Sequence, residues 1–129
     1  MTDTPIAALK DAIRNPNDPN HMMVVKSVPR RMRVYAGDTL LADSMSALRV
    51  MELGKSVYDP VVYFPQEDVV ASLDPVEKST HCPIKGDASY VSLAGEEIGW
   101  IYQDPIPMTR QLTGHHSFWP SKTRLVEED

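Results

Sequence analysis

Residues 32–42 read Met32-Arg33-Val34-Tyr35-Ala36-Gly37-Asp38-Thr39-Leu40-Leu41-Ala42. In an extended chain Val34 faces away from Arg33 and Tyr35, the alternation of a half-buried strand. Ala36-Gly37-Asp38 then supplies turn chemistry, and Thr39–Ala42 returns. The stretch predicts a β-hairpin and makes antiparallel pairing the organising element.

Working outward, Met22–Val28, Val61–Phe64, Ser89–Leu93, Gly99–Gln103 and His116–Trp119 read as further short strands. The Ser89 and Gly99 strands are joined through Ala94-Gly95, and Asp104-Pro105-Ile106-Pro107 breaks the second. Eleven prolines in 129 residues favour short elements with many connections. Ser44–Leu53 is ambiguous, because Met45, Leu48, Met51 and Glu52 have helical spacing in a segment that stops at Gly54. Pro65 opens a short helical turn, with Gln66, Glu67 and Asp68 at its N-terminus and Asp74-Pro75 closing it.

Residues 4–14 predict an amphipathic helix: Thr4 as cap, Pro5 at the first position, and Ile6, Leu9 and Ile13 on one stripe. Residues 15–20, rich in Asn and Pro, predict a linker. The expected fold is mainly β with short helices (α+β). Its expected organisation is an N-terminal helix and linker over 1–20, one β-rich domain over 21–126 and an acidic tail over 127–129.

The composition, 42% hydrophobic and 24% charged, is that of a globular domain. A net charge of -5 argues against nucleic acid as a partner. The basic cluster Lys26, Arg30, Arg31 and Arg33 reads as a solvated strand face before a phosphate patch. No apolar run approaches the ~20 residues that span a bilayer, and the first residues lack the pattern of a secretion signal. The single cysteine, Cys82, fits a reducing compartment, so a cytoplasmic location is expected. It cannot build a thiolate zinc site, and no His-x-His or Cys-x-x-Cys spacing occurs; neither a metal nor a cofactor is expected.

Three stretches concentrate chemistry. In Tyr63-Phe64-Pro65-Gln66-Glu67-Asp68 a strand runs into a helix start, where Glu67 and Asp68 serve either a ligand or the helix dipole. In Thr80-His81-Cys82-Pro83-Ile84-Lys85-Gly86, a strand would point His81 and Cys82 apart, so His81 is a poor base for the thiol. Cys82 then reads as a small buried hydrophobe before a nucleophile. Lys85 can hold an anion or pair with a carboxylate, and Gly86 lets backbone approach closely. In Trp100-Ile101-Tyr102 the two aromatics share a strand face, and with Tyr63 and Tyr90 they form either a pocket wall or plain core.

These blocks, in this order, resemble domain-of-unknown-function family 427, which carries an old nucleotidyltransferase-like label. The matching residues include Ala42-Asp43-Ser44 with Ala47 and Glu52, Val62-Tyr63-Phe64-Pro65 with Glu67-Asp68-Val69, and Thr80, Cys82-Pro83, Lys85-Gly86, Ala88-Ser89 and Tyr90. Trp100, Tyr102, Asp104-Pro105, Gly114 and Phe118 complete them, over about 31–124. The resemblance implies a small β-tent fold of two angled antiparallel sheets enclosing a cleft. Zinc, bound through paired cysteines in some β-tent relatives, does not carry over to a chain with one cysteine. Gln66 stands where the family usually has arginine, which removes a bidentate anion contact there. The chain has no Asp-x-Asp or Asp-x-Glu metal pair and no Walker-type loop, so the nucleotidyltransferase label does not describe its chemistry.

The leading expectation is a small-molecule-binding domain. Tyr63, Trp100 and Tyr102 would be walls, Tyr90 would add to them, and Lys85 would anchor an anionic or carbonyl group. Glu67 or Asp68 would orient a polar group, Thr80 and Cys82 would sit at the floor, and Gly86 would let the backbone approach the ligand. Two rivals stand beside it: an enzyme using Cys82, Lys85 or Glu67, and an interaction or homo-oligomerisation module.

Overall fold

The computed structural model describes residues 11–128. Eleven strands follow in order: β1 (Ile13–Asn15), β2 (Asp18–Ser27), β3 (Met32–Ala36), β4 (Thr39–Ser44), β5 (Leu48–Leu53), β6 (Val61–Tyr63), β7 (Asp74–Cys82), β8 (Gly86–Leu93), β9 (Glu96–Tyr102), β10 (His115–Phe118) and β11 (Arg124–Glu127). Two short 3-10 segments, Gln66–Asp68 and Pro107–Leu112, are the only helical elements among the described residues. All strand pairs are antiparallel, in three sheets: β1-β2-β5-β6, β10-β9-β8-β7 and β11-β3-β4.

The 32–42 hairpin forms as read, with Val34 opposite Ala42 and Gly37 in the left-handed region at the turn (φ 58°). Several expectations are corrected. The two expected sheets are three. The helix over 4–14 lies outside the described residues up to residue 10, and its last part is strand: Ile13 pairs with Met23. The linker over 15–20 is the turn and opening of the β1–β2 hairpin, because the asparagines and Asp18 cap their own backbone. Asn17 N–H donates to Asn15 Oδ1 at 2.9 Å and Asn20 N–H to Asp18 Oδ1 at 3.0 Å. The ambiguous 44–53 segment is strand β5, paired with β2 from Leu48 to Leu53; its alternation, with Val50 inward and Met51 outward, overrides the helical spacing. The acidic end is no free tail either. Glu127 pairs in β11 and joins Arg30 and Arg49, while Glu128 joins Arg33. Together with the bidentate Arg31–Asp43 pair, these contacts neutralise most of the basic cluster.

The β10-β9-β8-β7 sheet is the middle layer. On β8 and β9, Val91 and Ile101 point to one side and Ala88, Tyr90, Trp100 and Tyr102 to the other. The first side packs against β3 and β4 through Met32, Val34, Leu41 and Ala42. The second packs against the inner face of the β1-β2-β5-β6 sheet through Met23, Val50 and Tyr63. Those two sheets meet along a seam where Phe64 and His116 exchange backbone hydrogen bonds of 2.7 and 2.8 Å. Gly99 makes the middle sheet possible, since a Cβ there would lie 2.2 Å from the Ser117 carbonyl oxygen. No helix among the described residues is long and apolar enough to cross a membrane.

Candidate functional site

The interior between the β1-β2-β5-β6 sheet and the middle sheet holds most of the chemistry the sequence offers. Lys85 enters from the β7–β8 turn, where its N–H donates to Cys82 O at 3.2 Å. Its carbonyl accepts from Ile106 N–H at 3.0 Å and from Thr109 Oγ1 at 3.2 Å, which fixes the turn to the β9–β10 connection. The side chain can only go inward, and the residue is 8% exposed. Its Nζ donates to Glu52 Oε1 at 2.5 Å; Glu52 Oε2 lies 2.8 Å from His21 Nε2, and His21 Nδ1 lies 3.2 Å from Asn15 Nδ2. A polar chain thus runs from the first hairpin through β5 to the β7–β8 turn.

Aromatic rings surround its inner end. Tyr63 on β6, 2% exposed, accepts a 3.2 Å hydrogen bond from Trp100 Nε1 on β9. The Tyr63 and Tyr102 ring centroids are 6.2 Å apart, and Trp100 meets Trp119 at 4.6 Å. Tyr90 stacks on Trp119 at 6.3 Å, and its hydroxyl lies 2.7 Å from Thr80 Oγ1. Cys82, half-buried and unpaired, packs into the same cluster. Trp100, Trp119 and Cys82 keep partial exposure.

Burial works against the charge of both members of the ion pair, yet both shifts favour it. Hydrogen bonds from Lys85 and His21 outweigh burial and hold the Glu52 carboxyl below its ordinary range. Burial likewise opposes the Lys85 ammonium, but the hydrogen bond to Glu52 and the charge of its carboxylate favour it, and the amine is held above its ordinary value. Burial pushes the Tyr63 and Tyr102 hydroxyls up, so both are neutral phenols at neutral pH. The charge that faces Lys85 there is therefore the Glu52 carboxylate. Lys85 is a protonated cation, poorly disposed to act as an amine nucleophile.

The structure brings together Tyr63, Cys82, Lys85, Tyr90, Trp100 and Tyr102 in one core cluster or its polar core, with Thr80 at its margin. It keeps Glu67 and Asp68 apart from that cluster. Their 3-10 turn sits against β4, where Asp68 Oδ2 accepts from Ser44 Oγ at 2.6 Å and Val69 bridges to Ala42. The Gly86 backbone (φ 110°) approaches Pro105, and a Cβ there would lie 3.0 Å from Ile106 N; the chain itself uses that space. His81 and Cys82 lie on opposite faces of β7, as alternation requires, and His81 pairs with Asp87 at 2.8 Å near the surface. Glu52, His21 and Trp119 were not among the expected site residues. Glu52 stood in a segment with helical spacing and His21 beside an expected linker, so neither showed the strand face that aims it inward.

Among the described residues no three His, Cys, Asp or Glu side chains gather as a metal site. A groove of about 570 Å³ lies mainly on the outer face of the β1-β2-β5-β6 sheet, lined by Met22, Val24, Met51, Leu53, Val57 and Tyr58. Cross-strand pairing of Met22 with Leu53 and Val24 with Met51 puts these chains opposite the Lys85 face.

Residues 24–129 match the model of a domain of unknown function (DUF427), and the chain belongs to that family. No curated protein matches it.

Proposed function

We propose that this member of the unknown-function family is a small-molecule-binding domain whose site is the Lys85–Glu52 pair and its aromatic surround. The observation that carries this reading is the ion pair itself. Removing two charges from water costs several kcal/mol per ion, and well-packed apolar residues of similar volume often serve stability as well or better. A fold that needed only a core here would be served by the aliphatic packing found on the other face of the middle sheet. Trp100, Trp119 and Cys82, half-buried, belong to the same cluster as the buried groups. The unpaired cysteine fits a cytoplasmic setting.

A thermal-shift screen of the purified protein against a metabolite panel, with Lys85→Met in parallel, tests the reading. A ligand at a hundred times its Kd stabilises by about 2.7 kcal/mol, several degrees for a domain of this size. The expected result is a dose-dependent shift in the wild type that is lost in the variant. Equal shifts in both proteins would move the site elsewhere.

The outer face of the first sheet favours a second reading, self-association. Val57 is 79% exposed beside Tyr58, Met51 and Leu53, an apolar surface next to a sheet edge. Sedimentation velocity over a hundredfold concentration range would show a dimer that Leu53→Lys abolishes; a monomer throughout removes the reading.

A further inference from the structure

The apolar groove on the outer face of the β1-β2-β5-β6 sheet plays no part in the Lys85 site. Four of the eight large apolar side chains that stand exposed among the described residues, Met51, Leu53, Val57 and Tyr58, line it. Exposed apolar side chains gathered in one place mark a surface that something covers. The 54–58 loop builds the far wall. Gly54 N–H donates to Ser56 O at 2.9 Å, Tyr58 N–H donates to Glu52 O at 3.1 Å, and Val57 bridges back to Leu53. These bonds stand Val57 and Tyr58 beside the outer face of β5, where a Cβ on Gly54 would lie 3.0 Å from the Tyr58 ring. The near wall is Asp11 and Ala12, with which the described residues begin. Just before them, outside the described residues, the sequence carries the apolar run Ile6-Ala7-Ala8-Leu9.

We infer that this groove is the docking site of residues 4–10 of the same chain, with Ile6 and Leu9 laid over Met51, Leu53 and Val57. Reach permits it. The strand order β1-β2-β5 puts the far wall two to three strand spacings from Ala12, roughly 10–15 Å at about 4.8 Å per spacing. Seven residues span about 10 Å as a helix and up to about 23 Å extended, so the segment crosses the groove either way. Covalent connection decides between this occupant and a second copy. A segment joined at the edge of the groove meets it at an effective concentration in roughly the millimolar range, which a free partner must match. The chemistry of the floor agrees. Met22 and Met51 are unbranched and adapt to aliphatic side chains of varied shape. Neither Ile6 nor Leu9 brings a charge to be desolvated. Self-association through this face then requires residues 4–10 to leave the groove. That consequence rests on the second reading above, whereas the docking itself does not.

Methyl NMR on the full chain, at a concentration where sedimentation velocity shows a monomer, tests the inference. Nuclear Overhauser cross-peaks are expected from the Ile6 and Leu9 methyls to those of Met51 and Val57. Ile6→Asp/Leu9→Asp is expected to abolish the contact and to shift the Met51, Leu53 and Val57 methyl signals. The Leu41 and Ile101 signals, from the opposite interior, are expected to stay in place and report that the fold is intact. The same variant is expected to self-associate at lower protein concentration than the wild type. A monomeric wild type without the cross-peaks would overturn the inference. So would a variant whose Met51 and Val57 signals do not move. A variant that loses the cross-peaks, shifts the groove signals and stays monomeric would uphold the docking and remove the self-association reading. A wild-type dimer that Leu53→Lys abolishes, with no cross-peak from Ile6 or Leu9 at any concentration, would overturn the docking and keep that reading.

Discussion

The two interiors on either side of the middle sheet share its strands and differ in kind. One, around Met32, Val34, Leu41, Ala42, Val91 and Ile101, is aliphatic with two phenylalanines, and none of its members carries a charge. The other holds five tyrosine and tryptophan rings beside a lysine–glutamate–histidine chain. Alternation on β8 and β9 makes the division sharp: Tyr90 and Val91, neighbours in sequence, belong to different interiors. The first is what hydrophobic burial alone selects. The second contains groups that burial penalises, and it coincides with most of the residues that carry the family resemblance between Thr80 and Tyr102.

Removing a side chain from the aliphatic interior should have the largest effect on stability and none on binding. Leu41→Ala, at a fully buried position, is expected to cost about 2–5 kcal/mol in urea unfolding and to leave the affinity for a hit from the metabolite screen intact. Breaking the ionic interior from one side should cost nearly as much. Lys85→Met strands the Glu52 carboxylate; because Glu52 keeps some contact with solvent, the loss is expected near the lower end of the buried-pair range, about 3 kcal/mol. Tyr63→Phe removes a hydroxyl and leaves Trp100 Nε1 without its partner, and about 1 kcal/mol is expected.

Acid sharpens the contrast more gently. Burial holds the His116 imidazole below its ordinary 6.5, and its Nδ1 is buried without a hydrogen-bond partner. The unfolded chain therefore binds that proton first, and stability falls as pH drops below about 6.5. Glu52, held below its ordinary 4.5, adds a second loss that begins near 4.5 and continues down through its folded value. Urea unfolding from pH 7.5 to 4 should show both slopes. His116→Phe should flatten the first and leave the second, whereas a first slope that survives the substitution would assign it to another group.

The sequence made the hairpins legible where alternation and turn residues agree, as at Met32–Ala42 and across Ala94-Gly95. It was misleading at β5, where apolar residues at 45, 48 and 51 mimic a helical stripe although Met45 and Met51 are exposed. The edge strand β7, nine residues with mostly exposed side chains, shows no apolar alternation and left no strand signal. The same cause hid half of the site. Tyr63, Lys85, Trp100 and Tyr102 were visible from residue type and from the blocks they occupy. Glu52 meets Lys85 on one side and His21 on the other only through the pairing of β2 with β5, which no local pattern encodes. Conversely, Glu67 and Asp68 looked suited to a ligand because acids at a helix start are versatile, but the register of the β4 contact turns Asp68 toward Ser44.

The most direct test of the account is the double variant Lys85→Met/Glu52→Leu, measured both for unfolding free energy and for calorimetric binding of a hit from the metabolite screen, used as the probe. The account predicts that the double variant recovers most or all of the stability lost in Lys85→Met, since a buried ion pair replaced by apolar side chains is often neutral or stabilising, and that it no longer binds the probe. A double variant that stays as unstable as the single one, yet binds the probe like the wild type, would show that the ionic interior serves the fold and not a ligand.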